Sequence, residues 1–555
     1  MPIVANYSCQ SGYTLDPSGT TCTSPGNSSI PSKSASGPPP TESDGSSCSA
    51  CTDPINPAIG TTYELQTDYV GAGSFPLTVE RHYNSSATAL STNLGSHWRE
   101  NYDRSVILVS NSSVQAASVY RPDGKIYSFT LTNGVWTPDF DIKGTLTELV
   151  DSTGTLTGWK YVNENDETET YDAAGELTSI ANRAGFTQTL TYTANLLASV
   201  TDASGRQLIF THDANGRVAT MTDPSGGLYK YAYDAAGNLS TVTYPDGKVR
   251  TYLFAEAAHV SATPNAGVSY VSSLTGIVDE NGNRYATWNY DAQGRAYSSE
   301  HGVGIDKVVL TYNADGTTTA ADSLGASHTY GFGIVLGVPH NTSLVDRRGT
   351  MSRSYDANGN LSSRTDFNGN VTTWQYDLTR NLVTGRTDAS GTPLARTVTT
   401  QWDPNFRLPT VISEPGRTTS NTYDPATGNL LSRSVTDIAS NVTRTWTYAY
   451  TTSSDNTLPN LLKSIDGPRT DVQDVTTFTY YPNGDLDTVT DALGHVTTFT
   501  SYDGAGRPLS VTDPNGVVTV LAYTPRGWLA SRKVGALTTA YAYDGVGDVT
   551  RVTLP

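Results

Sequence analysis

The chain has 555 residues, with 53 Asp plus Glu against 35 Lys plus Arg and a formal net charge of −18. This balance argues against nucleic acid or an anionic membrane surface as partner, because both are held by basic stripes; it implies a solvated acidic surface. No run of 18 apolar residues exists, so no membrane-spanning helix is expected.

The first 22 residues form a small cysteine-containing segment, with Cys9 and Cys22 flanking a DPSG turn; Cys48 and Cys51 follow. Four cysteines allow three pairings. Cys9–Cys22 with Cys48–Cys51 is the preferred reading. A four-cysteine zinc site is the alternative, and the twelve residues between the first pair suit zinc poorly. Disulfides imply an oxidising compartment, hence a secreted or cell-surface protein. The opening MPIVANYSCQ nevertheless lacks the basic region and apolar core of an intact secretory signal. Residues 23–52, rich in Ser, Pro and Gly, read as a linker with too little apolar surface to fold alone.

The texture changes over residues 53–130. The alternating runs TTYELQTDY and LTVERHY predict strands, and Pro122-Asp123-Gly124 predicts a hairpin turn.

Over residues 131–555 one phrase returns. It reads Tyr171-Asp172-Ala-Ala-Gly175, Tyr233-Asp234-Ala-Ala-Gly237, Tyr290-Asp291-Ala-Gln-Gly294, Tyr355-Asp356-Ala-Asn-Gly359, Tyr502-Asp503-Gly-Ala-Gly506 and Tyr543-Asp544-Gly-Val-Gly547. Asp can bond its own backbone to start a turn, and Gly takes positive φ at little cost. The period is regular: Tyr171, Tyr192, His212 and Tyr233 stand 21, 20 and 21 residues apart, and Tyr481, Tyr502, Tyr523 and Tyr543 stand 21, 21 and 20 apart. Trp402-Asp403 is a copy with Trp in the Tyr place. A second series lies half a period out of phase, as in Asp202-Ala-Ser-Gly205 and Asp513-Pro-Asn-Gly516. Turns about every ten residues leave strands of ordinary length, so each repeat is a pair of short strands. Such a fixed period marks a repeat architecture. Residues 251–275, 326–350 and 450–475 break phase and read as loops or long hairpins on one face. Tyr, 33 against 11 Phe, suits thin β-layers in which the ring packs and the hydroxyl finds a polar partner.

The pieces NPAIG (56–60), QTDY (66–69), FPLTVERHYNS (75–85), LGSHWRENYDR (94–104) and RPDGK (121–125) resemble the segment that opens the shell of RHS (rearrangement hotspot) proteins. The downstream turns resemble the YD repeats of RHS proteins, of toxin-complex C subunits and of teneurins. The resemblance covers about nine-tenths of the chain, all but the first fifty residues. It implies an all-β fold in which a hairpin array coils into a partly open β-shell or solenoid-like ribbon. It also implies a non-enzymatic shell protein of a bacterial polymorphic-toxin or secretion-associated system that sequesters or presents a cargo. The alternative is a secreted structural or adhesive surface protein, filament-forming or glycan-binding. In RHS toxins an aspartyl self-cleavage at a core motif frees the toxin. Here Asp513-Pro-Asn-Gly516 reads as an ordinary turn, and the sequence stops within a repeat at Pro555. The expectation is a shell segment whose terminal edge strand takes another chain, another subunit or a continuation.

Searches for chemistry find no nucleophile elbow, zinc-protease motif or P-loop, and no catalytic, cofactor or metal residue is proposed. Asp356-Ala-Asn-Gly-Asn360 fails as a calcium loop, since its twelfth position is Phe367. The acidic cluster Glu164–Glu169 reads as a solvated loop, with weak cation binding as the alternative, and the histidines read as structural.

Overall fold

The computed structural model describes residues 55–86, 93–110, 115–302 and 304–555, together with the backbone of short strands at Thr14–Leu15, Thr21–Thr23 and Pro31–Ser34. The expected pairing of Cys9, Cys22, Cys48 and Cys51 lies outside the described residues, except that Cys22 falls on one of these backbone strands.

From Thr145–Val150 to Val549–Thr553 every strand pairs antiparallel with the strands before and after it, giving one 36-stranded sheet that does not close into a barrel. The turn chemistry builds it. At Asp234 the backbone N–H donates to the Asn238 carbonyl (2.9 Å), and the Gly237 N–H donates to the Asp234 carbonyl (3.1 Å). The carboxylate accepts from the Ala236 and Asn238 N–H groups, both at 2.9 Å. Gly237 holds φ at 87°, where a Cβ is strained. The turn adds one residue to the second strand: Ala232 faces Thr241, but Tyr233 faces Leu239. Ser240 is the bulge residue. The same backbone pair closes the turns at Asp172, Asp291, Asp356 and Asp503. The half-phase series differs, for Val200, Thr201, Leu208 and Gln207 pair in step. Bulged and unbulged turns therefore alternate on opposite edges over most of the ribbon; the half-phase turn after Val278 is bulged and the turn after Tyr312 is not.

Residues 55–138, here called the hub, form two smaller sheets. One contains Ile55–Asn56, Thr61–Val70, Thr78–Asn84 and Trp98–Glu100; the other contains Ser105–Ser110, Gln115–Tyr120, Ile126–Thr132 and Val135–Pro138. Pro31–Ser34 joins the second sheet by pairing Lys33 with Tyr127. This strand lies within residues 23–52, which the sequence reads as a linker.

The core lies between the hub and the first part of the ribbon. Tyr83, Trp98 and Phe129 are buried with Tyr229, Tyr231, Tyr252, Leu274 and Trp288. In Leu228–Tyr233 the burial alternates, with Tyr229 and Tyr231 turned inward. In Val518–Tyr523 the same alternation is only half-buried against exposed. Among the described residues, Ala505 alone of those beyond Tyr330 belongs to this core.

The ribbon then coils back on itself. Sequence separations of 241 (Arg407 to Asp166), 276 (Asn460 to Ala184) and 282 (Arg507 to Ser225) mark contacts between two laps. A steady strand twist of one hand makes such coiling the outcome for a long ribbon. The phase breaks are the 255–273 connection, the hairpin Ser327–Val335 with Val338–Asp346, and the 451–461 connection.

Candidate functional site

Three arrangements hold the molecule together, and the repeat residues take part in each. The first is a ladder along the bulged edge. Each repeat Tyr faces the residue just before the bulge, and the next repeat's Tyr donates its hydroxyl to that residue's carbonyl. Tyr376 donates to Leu361 (2.9 Å), Tyr423 to Pro409 (2.9 Å), Tyr523 to Pro508 (3.0 Å) and Tyr543 to Leu529 (2.8 Å). Tyr233, Tyr290, Tyr355 and Tyr502 donate in the same way to Val218, Leu274, Asn341 and Leu486. Phe cannot do this, which explains the preference for Tyr. Trp402 can: its indole N–H reaches the Val383 carbonyl at 2.8 Å. Pro409 and Pro508 are tolerated because each is the first residue of its strand.

Two rungs depart from the sequence reading. The rung is Tyr480, which donates to Leu462 (2.7 Å), while Tyr481 occupies the turn position usually held by Asp. The phase count through Tyr481 is therefore one residue out. At His212 the short ring leaves Nε2 with no hydrogen-bond partner among the described residues, and burial pushes its pKa down.

The second arrangement is charged and buried, and it ties the hub to the ribbon. Arg81 and Asp68, both fully buried, pair at 2.6 Å and 2.9 Å. Arg81 also donates to the Tyr252 hydroxyl (2.9 Å), and Tyr231 donates to Asp68 (2.9 Å). The guanidinium lies 5.1 Å from the Trp98 ring and 5.3 Å from the Tyr252 ring. Nearby, burial raises the Glu64 carboxyl to about 7 against the pull of Gln66, Arg250 and Arg81. A second knot forms on Glu169, which receives Arg104 (2.5 Å), Arg121 (2.6 Å) and the Tyr171 hydroxyl. Burial opposes its charge, but Arg104 and Arg121 outweigh it and hold the pKa at about 2. This corrects the solvated-loop reading for Glu169, which lies buried on the strand Thr168–Asp172, while Glu164 and Asn165 are exposed in the turn before it. The pattern that would have shown it is the period of two: Glu169 shares a strand face with Tyr171. Asp68, Arg81, Arg104 and Arg121 all lie within the opening-segment pieces noted in the sequence.

The third arrangement is the seam between laps, where turns at Asp202, Asp223 and Asp279 of the first lap meet turns at Tyr481, Asp503 and Asp544 of the second. Arg206 pairs with Asp485 and with Asp202. Glu280 receives Arg250 (2.9 Å) and Arg526 (3.1 Å), and Arg526 stacks 3.8 Å from the Tyr244 ring centre. Asn281 donates to Asp544 (3.0 Å) and accepts from the Gly545 N–H (2.8 Å). The second-lap turns Asp503-Gly504-Ala-Gly506 and Asp544-Gly545-Val-Gly547 carry an extra Gly. A Cβ on Gly504 would meet the Pro224 carbonyl oxygen at 2.2 Å, and one on Gly545 the Glu280 carbonyl oxygen at 2.7 Å. The hub approaches the other edge as closely: a Cβ on Gly175 would lie 1.8 Å from the Val106 carbonyl oxygen.

Comparison with known proteins falls on the same repeats. The family model described as RHS Repeat matches residues 171–207, 193–228, 212–249, 355–393, 480–518 and 502–540. The chain is an RHS-repeat protein. In this RHS-repeat protein a second model, described only as a domain of unknown function (DUF6531), covers residues 52–129. No curated protein matches the sequence. Among solved structures it is similar to TcdB2-TccC3-TEV (12% identity, TM-score 0.40, 89% of this chain and 28% of that one). It is also similar to TcdB2-TccC3 without its hypervariable C-terminal region (12%, 0.39, 89% and 27%) and to the Photorhabdus luminescens Tc holotoxin pore (12%, 0.35, 89% and 27%). The RHS-repeat protein thus spans under a third of those chains. Among its described residues no helix is long and apolar enough to cross a membrane.

Proposed function

We propose that this chain is a wall segment of a β-shell related to those of toxin complexes, non-enzymatic, which sequesters or presents a protein cargo in a secreted or cell-surface setting. The observation that carries this reading is the stacking of two ribbon laps, turn row on turn row, with the hub against the other edge of the first lap. Ladder hydrogen bonds run along each lap and polar contacts join the laps, so the ribbon makes a continuous curved wall. Support for a non-catalytic role comes from the buried acids Asp68, Glu169 and Glu280, each already held by arginine. The partners proposed are a protein cargo and further shell subunits.

Electron microscopy of the purified chain tests the reading, with discrete curved or hollow particles expected. A second reading, a filament-forming or adhesive surface protein, draws on the free turn row, where Leu324, Leu394 and Leu493 stand 92%, 84% and 81% exposed. Fibres would favour that reading. A flexible, extended monomer in small-angle scattering would overturn both.

A further inference from the structure

One position of the repeat changes character between the laps. The residue two before each ladder side chain faces a partner on the following strand. In the first lap that partner is Val200, Met221, Val242 or Ile277, each fully buried in the core shared with the hub. In the second lap four of these partners are arginine: Arg364, Arg386, Arg433 and Arg532. Others, such as Ile412 and Val489, stay apolar. The arginines occupy the same face of the sheet but lie outside that core.

Two exposed arginines meet there. Arg433 lies directly opposite Trp446, and Arg444, two residues earlier on that strand, lies opposite Val435. The two guanidinium groups are therefore diagonal neighbours on one face, an arrangement in which like charges repel. Both side chains are exposed, and neither has an ion-pair or side-chain hydrogen-bond partner among the described residues. The carboxylates on this part of the face are already engaged. Asp388 is held by Arg386 (2.8 Å), and Glu414 is shared by Arg396 and Arg417. Asp437, opposite Arg417, accepts from the Ser440 N–H (2.8 Å) and hydroxyl (2.7 Å). In a chain of net charge −18, Arg433 and Arg444 are positive charge that the fold itself does not use.

The complement of this face is anionic, and the neighbouring side chains narrow it further. Val435, Trp446, Tyr448 and Ile465 stand half-buried beside the arginines, so carboxylates interleaved with apolar side chains match it. A nucleic-acid backbone matches poorly, because it is charged at every step and the acidic remainder of the chain repels it. We propose that this face of the second lap, centred on Arg433, Arg444 and Trp446, docks an extended acidic and apolar segment of a protein cargo, whose carboxylates pair with the two guanidinium groups. This inference rests on the cargo-presenting reading above.

Fluorescence anisotropy of the full chain with a labelled peptide repeating Glu-Leu-Glu-Gly tests it, against a peptide repeating Lys-Leu-Lys-Gly and a short single-stranded oligonucleotide. Saturable binding is expected for the acidic peptide and none for the basic one. The Arg433→Gln, Arg444→Gln double variant should bind the acidic peptide about tenfold more weakly, since it deletes the charge-assisted contacts. The Lys230→Gln, Lys533→Gln variant removes the same charge from the opposite face and should bind as the parent does. Absence of saturable binding by the acidic peptide overturns the proposal. So does equal weakening in the two double variants, or an oligonucleotide that binds as tightly as the acidic peptide. Hollow particles that bind no acidic peptide would sink the docking face and leave the shell reading standing. The probe series on the parent chain decides the matter even if a variant fails to fold.

Discussion

At the scale of single residues, the repeat's Tyr acts through its hydroxyl as much as through its ring. His212 fills a ladder position without reaching the carbonyl expected to accept from it, that of Leu197, which faces Tyr192. His212→Tyr should restore the rung and stabilise the protein by about 1 kcal/mol, the net value of one hydrogen bond; the urea midpoint reads this. Trp402→Phe should cost a similar amount by leaving the Val383 carbonyl without its donor. Glu169→Gln is a different case. It leaves Arg104 and Arg121 buried around a neutral group, so a loss of about 3–5 kcal/mol is expected in equilibrium unfolding. Glu64 sets a pH dependence of the opposite sense to that of Glu169. Its folded pKa of about 7 lies above the unfolded value of 4.5, so its contribution is full below 4.5 and is lost as the pH rises through about 7. Melting temperatures across that window should fall in the parent and fall less in Glu64→Gln.

At the scale of elements, two kinds of turn glycine should behave differently. Gly369 needs its positive φ of 81° but faces open space, so Gly369→Ala should cost only the local strain of about 1–2 kcal/mol. Gly504 has no positive φ, yet its Cβ would strike the backbone of the first lap. Gly504→Ala should leave the hairpin intact and part the seam, seen as faster hydrogen exchange at both Asp503–Arg507 and Asp223–Gly227. Equal protection of the two turns in parent and variant would remove the seam from the account. The bulge is the element's other device. It turns one Tyr per repeat toward the preceding carbonyl, and it lets Pro409 and Pro508 enter the sheet without losing a ladder donor.

At the scale of the whole molecule, the hub and first lap share an apolar core while the laps meet mainly through ion pairs and hydrogen bonds. Stability should therefore be uneven. Hydrogen exchange is expected to be faster over 355–553 than over 171–300, and unfolding should not be two-state. The Arg206→Ala, Arg526→Ala double variant should widen that difference and expand the particle in small-angle scattering.

The turn period, the antiparallel order and the all-β class were legible in the residues because they rest on local chemistry: an Asp that bonds its own backbone, a Gly at positive φ, and short β-rich runs between. The pieces around Asp68, Arg81, Arg104 and Arg121 were visible as a pattern, but not their partners Tyr231, Tyr252 and Glu169. Those meetings, the one-residue shift at Tyr480, the lap of 241 to 282 residues and the pairing of Arg433 with Trp446 outside the core were decided by the tertiary structure. The reason is geometric. A lap is the sum of many small strand-to-strand rotations, and no residue carries that sum, so which turns face each other is settled only when the whole ribbon has coiled around its hub.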